Sequence, residues 1–205
     1  MRTSAGKKIF HDRGLKECRP RILSAANDLI SEFGFEGTTM RMVADKSGLS
    51  VEKLKAEYSD KQQILNELIG FHLDVYEGIR IFTRTNPDFS PLQSFQREWE
   101  LMCEHMNNNQ ETLLAYLQNQ SNIASWIWDR INQLRSQDIE LLEKACALRE
   151  LSRVNAASLE AVIYGTLWSL IFEFVQEPGR ANFTVIPGKV SSMVLAPLIL
   201  RDGVN

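Results

Sequence analysis

The chain has 205 residues, 44% of them hydrophobic and 24% charged. These proportions fit a folded globular protein with one or two cores and exclude a low-complexity disordered chain. The net charge of −3 is unevenly spread: residues 1–61 carry 12 Lys/Arg against 9 Asp/Glu, and the first 21 residues carry 7 against 2. Attraction for phosphate is therefore concentrated at the N-terminal end.

Residues 1–18 read as a basic arm, predicted to be flexible. Lys7, Lys8, Arg13 and Lys16, with Arg19 and Arg21 just beyond, are candidates for phosphate or minor-groove contact. The plainer alternative is a solvated tail. Ile22, Ala26, Leu29 and Phe33 recur at helical spacing and mark the buried stripe of a first helix that ends at Gly34.

Thr38 or Thr39 can cap the next helix, where Met40, Val43 and Ala44 share a face. Gly48 stops that helix at a position that calls for positive φ, and Leu49 plugs the turn. Ser50 caps a further helix, whose Leu54 and Tyr58 point inward together. Ser59 and Gln62 predict a capping box that starts the one after. Two short helices around a tight turn are the helix-turn-helix arrangement, whose second helix enters the DNA major groove.

A long helix is predicted from Lys61, with Ile64, Leu65, Leu68, His72, Val75, Tyr76, Ile79 and Phe82 on one side, stopping before Asn86-Pro87. Pro91 opens a helix that runs to about Asn107. A short helix follows around residues 113–117, then a long amphipathic one over residues 123–148. The helix predicted over residues 156–175 is apolar on most faces, with Phe174 among its apolar residues, and ends at Pro178-Gly179. Pro187 introduces a last segment over residues 190–200, which Pro197 kinks or shortens.

The set Arg21-Ile22-Leu23-Ser24-Ala25-Ala26, Phe33-Gly34-Phe35, Thr38-Thr39, Val43-Ala44, Gly48-Leu49-Ser50, Leu54, Tyr58 and Lys61 resembles, in order and spacing, the N-terminal domain of TetR-family transcriptional regulators. The resemblance implies an all-α fold. An N-terminal three-helix helix-turn-helix DNA-binding domain (19–68) is joined by a long helix to a C-terminal helical ligand-binding and dimerisation domain (69–205). It further implies a ligand-responsive regulator, a repressor that binds a roughly palindromic double-stranded DNA operator as a homodimer and is released by a small apolar or aromatic effector.

The DNA-binding candidates are Thr39, Arg41, Ser50, Glu52, Lys53, Lys55, Tyr58 and Lys61. Here the chain departs from the family pattern. Lys55 replaces a usual aromatic, Ala56 an often-present His, and Glu52 a small residue. Glu52 can accept from a cytosine amino group, and Lys55 can meet phosphate as a point charge. Met102, His105, Met106, Tyr116, Trp126, Trp168 and Phe172 are candidate effector-pocket residues, each also suited to plain core. Trp126 and Trp128 are two apart on one helix and cannot face the same way. Leu159, Val162, Ile163, Thr166 and Leu170 are candidates for the dimer interface, with intramolecular core as the alternative.

Nothing points to catalysis, a metal or a cofactor. The histidines show no H-x-x-x-H spacing, and G-x-S-x-G, a phosphate loop and paired cysteines are all missing. Cys18, Cys103 and Cys146 are odd in number and widely spaced, which suits a reduced cytoplasmic protein. Residues 1–20 show no signal peptide, and residues 161–175, interrupted by Glu173, are too short to cross a membrane. The competing reading is a TetR-like helical dimer that has lost operator binding and serves as a small-molecule carrier or protein-interaction module.

Overall fold

The computed structural model describes the backbone of residues 4–175 and 182–200 and the side chains of residues 18–173 and 182–200. The side chains of Lys7, Lys8, Arg13, Lys16 and Phe174, and the Pro178-Gly179 stop, lie outside the described residues. The fold is all-α. Among the described residues the helices are α1 (Ser4–Gly37), α2 (Met40–Ser47), α3 (Val51–Glu57), α4 (Lys61–Arg84), α5 (Pro91–Asn107), α6 (Gln110–Gln118), α7 (Ser125–Ala147), α8 (Ala156–Val175) and α9 (Ile186–Val190).

These helices form two compact units, one from Met1–His72 with Asn109–Ile127 and a second from Leu73–Asn108 with Trp128–Asn205. Helix α6 joins the first unit because it buries Thr112, Ala115 and Tyr116 and lies against α1. There the Thr112 hydroxyl and the Asn27 amide oxygen are 3.1 Å apart.

Helix α1 starts at Ser4, so the backbone of the basic arm is helical instead of extended coil. Ala5, Lys7, Lys8, Leu15, Lys16 and Glu17 are good helix formers, and the helix continues through Pro20, which forfeits one backbone bond. The helix kinks at Gly34 (φ 70°, ψ 169°), where the buried stripe was expected to end. The kink turns Phe33 outward, half exposed, and Phe35 enters the core in its place. Ile22, Ala26 and Leu29 then pack with Val43, Ala44, Leu54, Tyr58 and Ile64 as the core of the helix-turn-helix. Leu54 is 0% exposed, and burial of such a side chain stabilises by about 1.5–3 kcal/mol.

The helix ends follow the sequence closely. Thr39 caps α2 by accepting from the Met42 amide at 3.2 Å, and Ser50 caps α3 by accepting from Lys53 at 3.3 Å. Gly48 closes α2 in the left-handed region (φ 69°). The cap of α4 is shifted by one residue: Asp60, not Ser59, accepts from the Gln63 amide at 3.0 Å, and the Gln63 side chain accepts from the Ser59 amide at 2.9 Å. A carboxylate is the stronger acceptor for the positive end of a helix, which selects Asp60.

In the second unit Ser90 and Gln93 complete a capping box at the start of α5. The far half of α4 turns a different face inward than expected. Arg80 and Thr83 are buried, while Phe82 is 61% exposed. An ion cluster described below claims that inward face. Helix α9 starts at Ile186, ahead of the expected segment, with Pro187 in its first turn. It loosens into a π turn at Ser191–Leu195, where the Ala196 amide reaches Ser191 O at 2.7 Å, one residue before Pro197 withdraws an amide.

Gly48 tolerates a side chain poorly because of its backbone conformation. A Cβ there would lie 2.8 Å from Arg21 Nη2 and would sit on left-handed backbone. Gly48→Ala is expected to destabilise the chain by at least about 1–2 kcal/mol, measured as a lower urea midpoint at unchanged slope.

Candidate functional site

The outer surface of the helix-turn-helix is built from the residues that its packing leaves over. Leu54 and Tyr58 anchor α3 inward, so Glu52, Lys53, Lys55 and Ala56 are exposed, with Ser50 at the N-terminal tip. Thr39 and Arg41, at the start of α2, are exposed as well. The face therefore brings together six of the eight candidates for DNA contact. Among the described residues Arg41, Lys53 and Lys55 form no ion pair, which leaves their charge available to phosphate. The Glu52 carboxyl is held below its usual range, first by its own backbone amide, then by the Ser50 hydroxyl and the charge of Lys55. It stays ionised at neutral pH as a fixed acceptor.

The other two candidates are used internally. Tyr58 is 3% exposed and its hydroxyl donates to Glu67 Oε2 at 2.7 Å. Burial, then the Glu67 carboxylate, pushes its phenol well above the ordinary range. Lys61 Nζ donates to Phe35 O at 2.9 Å and Glu36 O at 3.3 Å, pairs with Glu36 Oε2 at 3.2 Å, and stands 4.4 Å from the centre of the Phe35 ring. These bonds satisfy the carbonyl end of α1 beyond its kink.

Two basic residues near the arm are similarly engaged. Arg21 Nη2 donates to Ser47 O, closing the carbonyl end of α2 beside Gly48. Arg19 lies 3.9 Å from Glu57 and 3.6 Å from Glu67, tying α1 to the end of α3 and to α4. Nothing in their sequence spacing distinguishes these lysine and arginine roles from phosphate contact.

The candidate pocket residues divide between the units. Met102, His105 and Met106 lie half-buried on α5, and Trp168 and Phe172 lie on α8, all in the second unit. Burial holds the His105 imidazole below its usual range, so it is neutral at pH 7. The Trp168 ring meets Tyr164 edge-on at 5.7 Å, and Phe172 is 50% exposed. Tyr116 is buried in α6 of the first unit. Trp126, in the same unit, lays its indole over Gly70, where an added Cβ would stand 2.6 Å from the ring. Trp128 belongs to the second unit, consistent with the divergence of positions two apart on a helix.

On α8, Leu159 and Ile163 lie in the second unit's own core at 6% and 0% exposure, so they have almost no area left to offer a second copy. Thr166 and Leu170 are half-buried, and Val162, Gly165, Ser169 and Phe172 form the exposed side. The sequence reading did not find the buried group of Arg80, Arg84, Glu98 and Asp138 on α4, α5 and α7. Its one signal is the four-residue spacing of Arg80 and Arg84, which equally describes a solvated face.

Residues 22–68 match the family of bacterial regulatory proteins described as the tetR family. Over 93 residues the chain is 29% identical to the HTH-type transcriptional regulator RutR of Escherichia coli K12, covering 45% of this chain and 42% of that one. The chain thus aligns with less than half the length of that relative. The fold resembles the ketosteroid transcriptional regulator KstR2 of Mycobacterium tuberculosis, with TM-score 0.68, 19% identity and coverage of 89% and 95% of the two chains. It also resembles Thermus thermophilus FadR, a TetR-family transcriptional repressor solved with lauroyl-CoA, with TM-score 0.65, 16% identity and coverage of 91% and 98%.

The internal role of Lys61 separates stability from DNA contact. Lys61→Met is expected to cost about 1–3 kcal/mol through loss of charged hydrogen bonds to the end of α1. Lys55→Met should leave the urea midpoint unchanged, and the two variants compared in one denaturation series check the difference.

Proposed function

We propose that this chain is a member of the TetR family of bacterial regulatory proteins and a ligand-responsive DNA-binding transcriptional regulator acting as a homodimer. The observation that carries this reading is the exposed face of α3. Ser50, Lys53 and Lys55 project outward from a helix whose ends are capped and whose inner side is fully packed. A short helix held so firmly can enter a major groove without reorganising, and a two-fold dimer then meets a roughly palindromic operator.

In this reading Lys53, Lys55, Arg41 and Thr39 hold the DNA backbone and fix register, and Glu52 accepts from a cytosine amino group. The exposed side of α8, with Val162, Gly165, Thr166, Ser169 and Phe172, faces the same side of a second copy. Small residues there permit close helix approach. The effector is small and largely apolar, held in the second unit by Met102, Met106 and Trp168, with neutral His105 orienting a polar group. Thermus thermophilus FadR is solved with lauroyl-CoA, a ligand with an apolar acyl chain and a charged coenzyme A part. Effector binding favours a dimer state with misplaced recognition helices, so repression is lifted, and the coupling is reciprocal. Among the described residues no helix is long and apolar enough to cross a membrane.

A second reading rests on Glu52, whose fixed negative charge offsets a lysine on a short helix: a dimer of the same fold that carries a small molecule and reads no operator. Selection from random double-stranded DNA at two salt concentrations distinguishes them. The regulator enriches a palindrome and loses affinity steeply with salt, whereas enrichment of nothing supports the carrier. Lys55→Ala is expected to weaken all sequences alike and to reduce the log–log salt slope by about 0.9. Glu52→Ala should change the preferred base at one position in each half-site. Uniform weakening by Glu52→Ala would remove its role in base choice.

A further inference from the structure

The second unit keeps four ionisable side chains largely out of water. Arg80 is 3% exposed, Glu98 0% and Asp138 4%, while Arg84 closes the group from its rim at 23% side-chain exposure. Arg84 donates through Nε and Nη2 to the two Glu98 oxygens at 2.6 and 3.0 Å, and through Nη2 to Asp138 Oδ1 at 3.0 Å. Its Nη1 donates to Gln137 O at 3.3 Å. Arg80 donates through Nη2 to the same Asp138 oxygen, and through Nη1 to Leu134 O at 2.8 Å and Gln137 Oε1 at 3.1 Å. Arg80 Nε is buried without a hydrogen-bond acceptor, 3.6 Å from Glu98 Oε2. Thr83 Oγ1 donates to Glu98 Oε1 at 3.1 Å.

Apolar residues of the same volume would serve stability as well or better, because buried charges give up so much hydration. The hydrogen bonds of the group depend on whether Asp138 carries a proton. With Asp138 ionised, the arginines of α4 divide between Glu98 on α5 and Asp138 on α7. With Asp138 protonated, the charge of both arginines falls to Glu98, and the α7 carboxyl becomes a neutral, weaker acceptor. Arg80 Nε, already near Glu98, marks the direction of that exchange.

We propose that Asp138 is a proton-binding site of the second unit, and that its proton decides whether the last turns of α4 are held by α5 and α7 together or chiefly by α5. The groups facing it are Tyr76, Arg80 and Arg84 from α4, Glu98 from α5, Arg135 on its own helix and Glu160 from α8. Burial is the largest influence and pushes the Asp138 carboxyl up to about 7. Arg80 and Arg84 oppose it, and Glu98 and Glu160 add to it. Burial among these groups thus moves the exchange of this proton well above the ordinary carboxylate range.

The sign for stability follows directly. A carboxyl raised in the folded state binds protons there more readily than in the unfolded chain. Its contribution is greatest below the unfolded value of about 4 and is lost as pH rises towards 7. The consequence for DNA rests on the regulator reading above. Helix α4 begins with Lys61, bonded to the end of α1, and ends in this cluster, so a proton that changes its hold biases the operator-bound state.

The test uses the full chain with 13C-labelled aspartate. One carboxyl carbon is expected to titrate with a midpoint at about 6–8 and to be missing from the Asp138→Asn spectrum. Titration of every aspartate below about pH 5 would overturn the proposal. Melting temperatures provide the second measurement: the wild type minus Asp138→Asn difference should fall between pH 5 and 8, and a constant difference counts against the site. The wild-type titration stands even if the variant does not fold. Affinity for the selected DNA should then change at least threefold between pH 6 and 8 in the wild type and stay level in Asp138→Asn. Parallel profiles would remove the switch. Failure of both proteins to bind any DNA, with the carboxyl still titrating near 7, would refute the regulator reading and leave the proton site standing.

Discussion

The structure depends on basic side chains that bond to backbone carbonyls. Arg21 reaches Ser47 O at the end of α2, Lys61 reaches Phe35 O and Glu36 O beyond the kink in α1, and Arg80 and Arg84 reach Leu134 O and Gln137 O on α7. The last carbonyls of a helix have no partner within it, and at the ends of α1 and α2 a cation offers them both a hydrogen bond and a favourable charge. Leu134 O and Gln137 O lie mid-helix in α7, where an arginine adds a second bond to a carbonyl oxygen. In the first unit this fixes the angle at which α1 meets α2 and α4. In the second it fastens the end of α4 to α7. Each bond also withdraws a positive charge from any role at the surface.

That withdrawal shapes the candidate DNA face. Of the basic residues around the motif, Arg19, Arg21 and Lys61 are bound to the protein itself, and Lys46 pairs with Asp28 at 3.2 Å. Arg41, Lys53 and Lys55 remain, together with the fixed charge of Glu52. A face with so few cations has a modest pull on phosphate, so base contact by Glu52 would carry a larger share of operator choice. The short helix α3 suits such a role, because Leu54 and Tyr58 leave it no freedom to tilt.

Most of the fold was legible because helix signals are local. Thr39, Ser50, Gly48 and Pro91 each act within a few residues, and the elements they bound lie where the spacing puts them. The misses have separate causes. Phe33 and Phe82 continue an apolar period yet are exposed, the first because the Gly34 kink rotates the chain, the second because Arg80 and Thr83 are drawn inward by Glu98 and Asp138. Leu159 and Ile163 looked like the surface of an all-round apolar helix, and the unit's own core takes them first. The capping box expected of Ser59 and Gln62 is instead formed one residue on, by Asp60 and Gln63, because a carboxylate is the stronger acceptor at a helix start.

The sequence by itself determined the helical class, most of the helix boundaries and the helix-turn-helix, because caps, glycine conformations and apolar spacing act between neighbours along the chain. Tertiary structure alone decided which charges are free and which are spent. Lys53 and Lys61 are the same residue type, eight positions apart, and differ only in whether a carbonyl from α1 lies within reach. Asp138 and Arg80 are likewise ordinary charged residues until folding removes the water around them. Desolvation and long-range pairing depend on residues tens of positions away, and no local pattern records them.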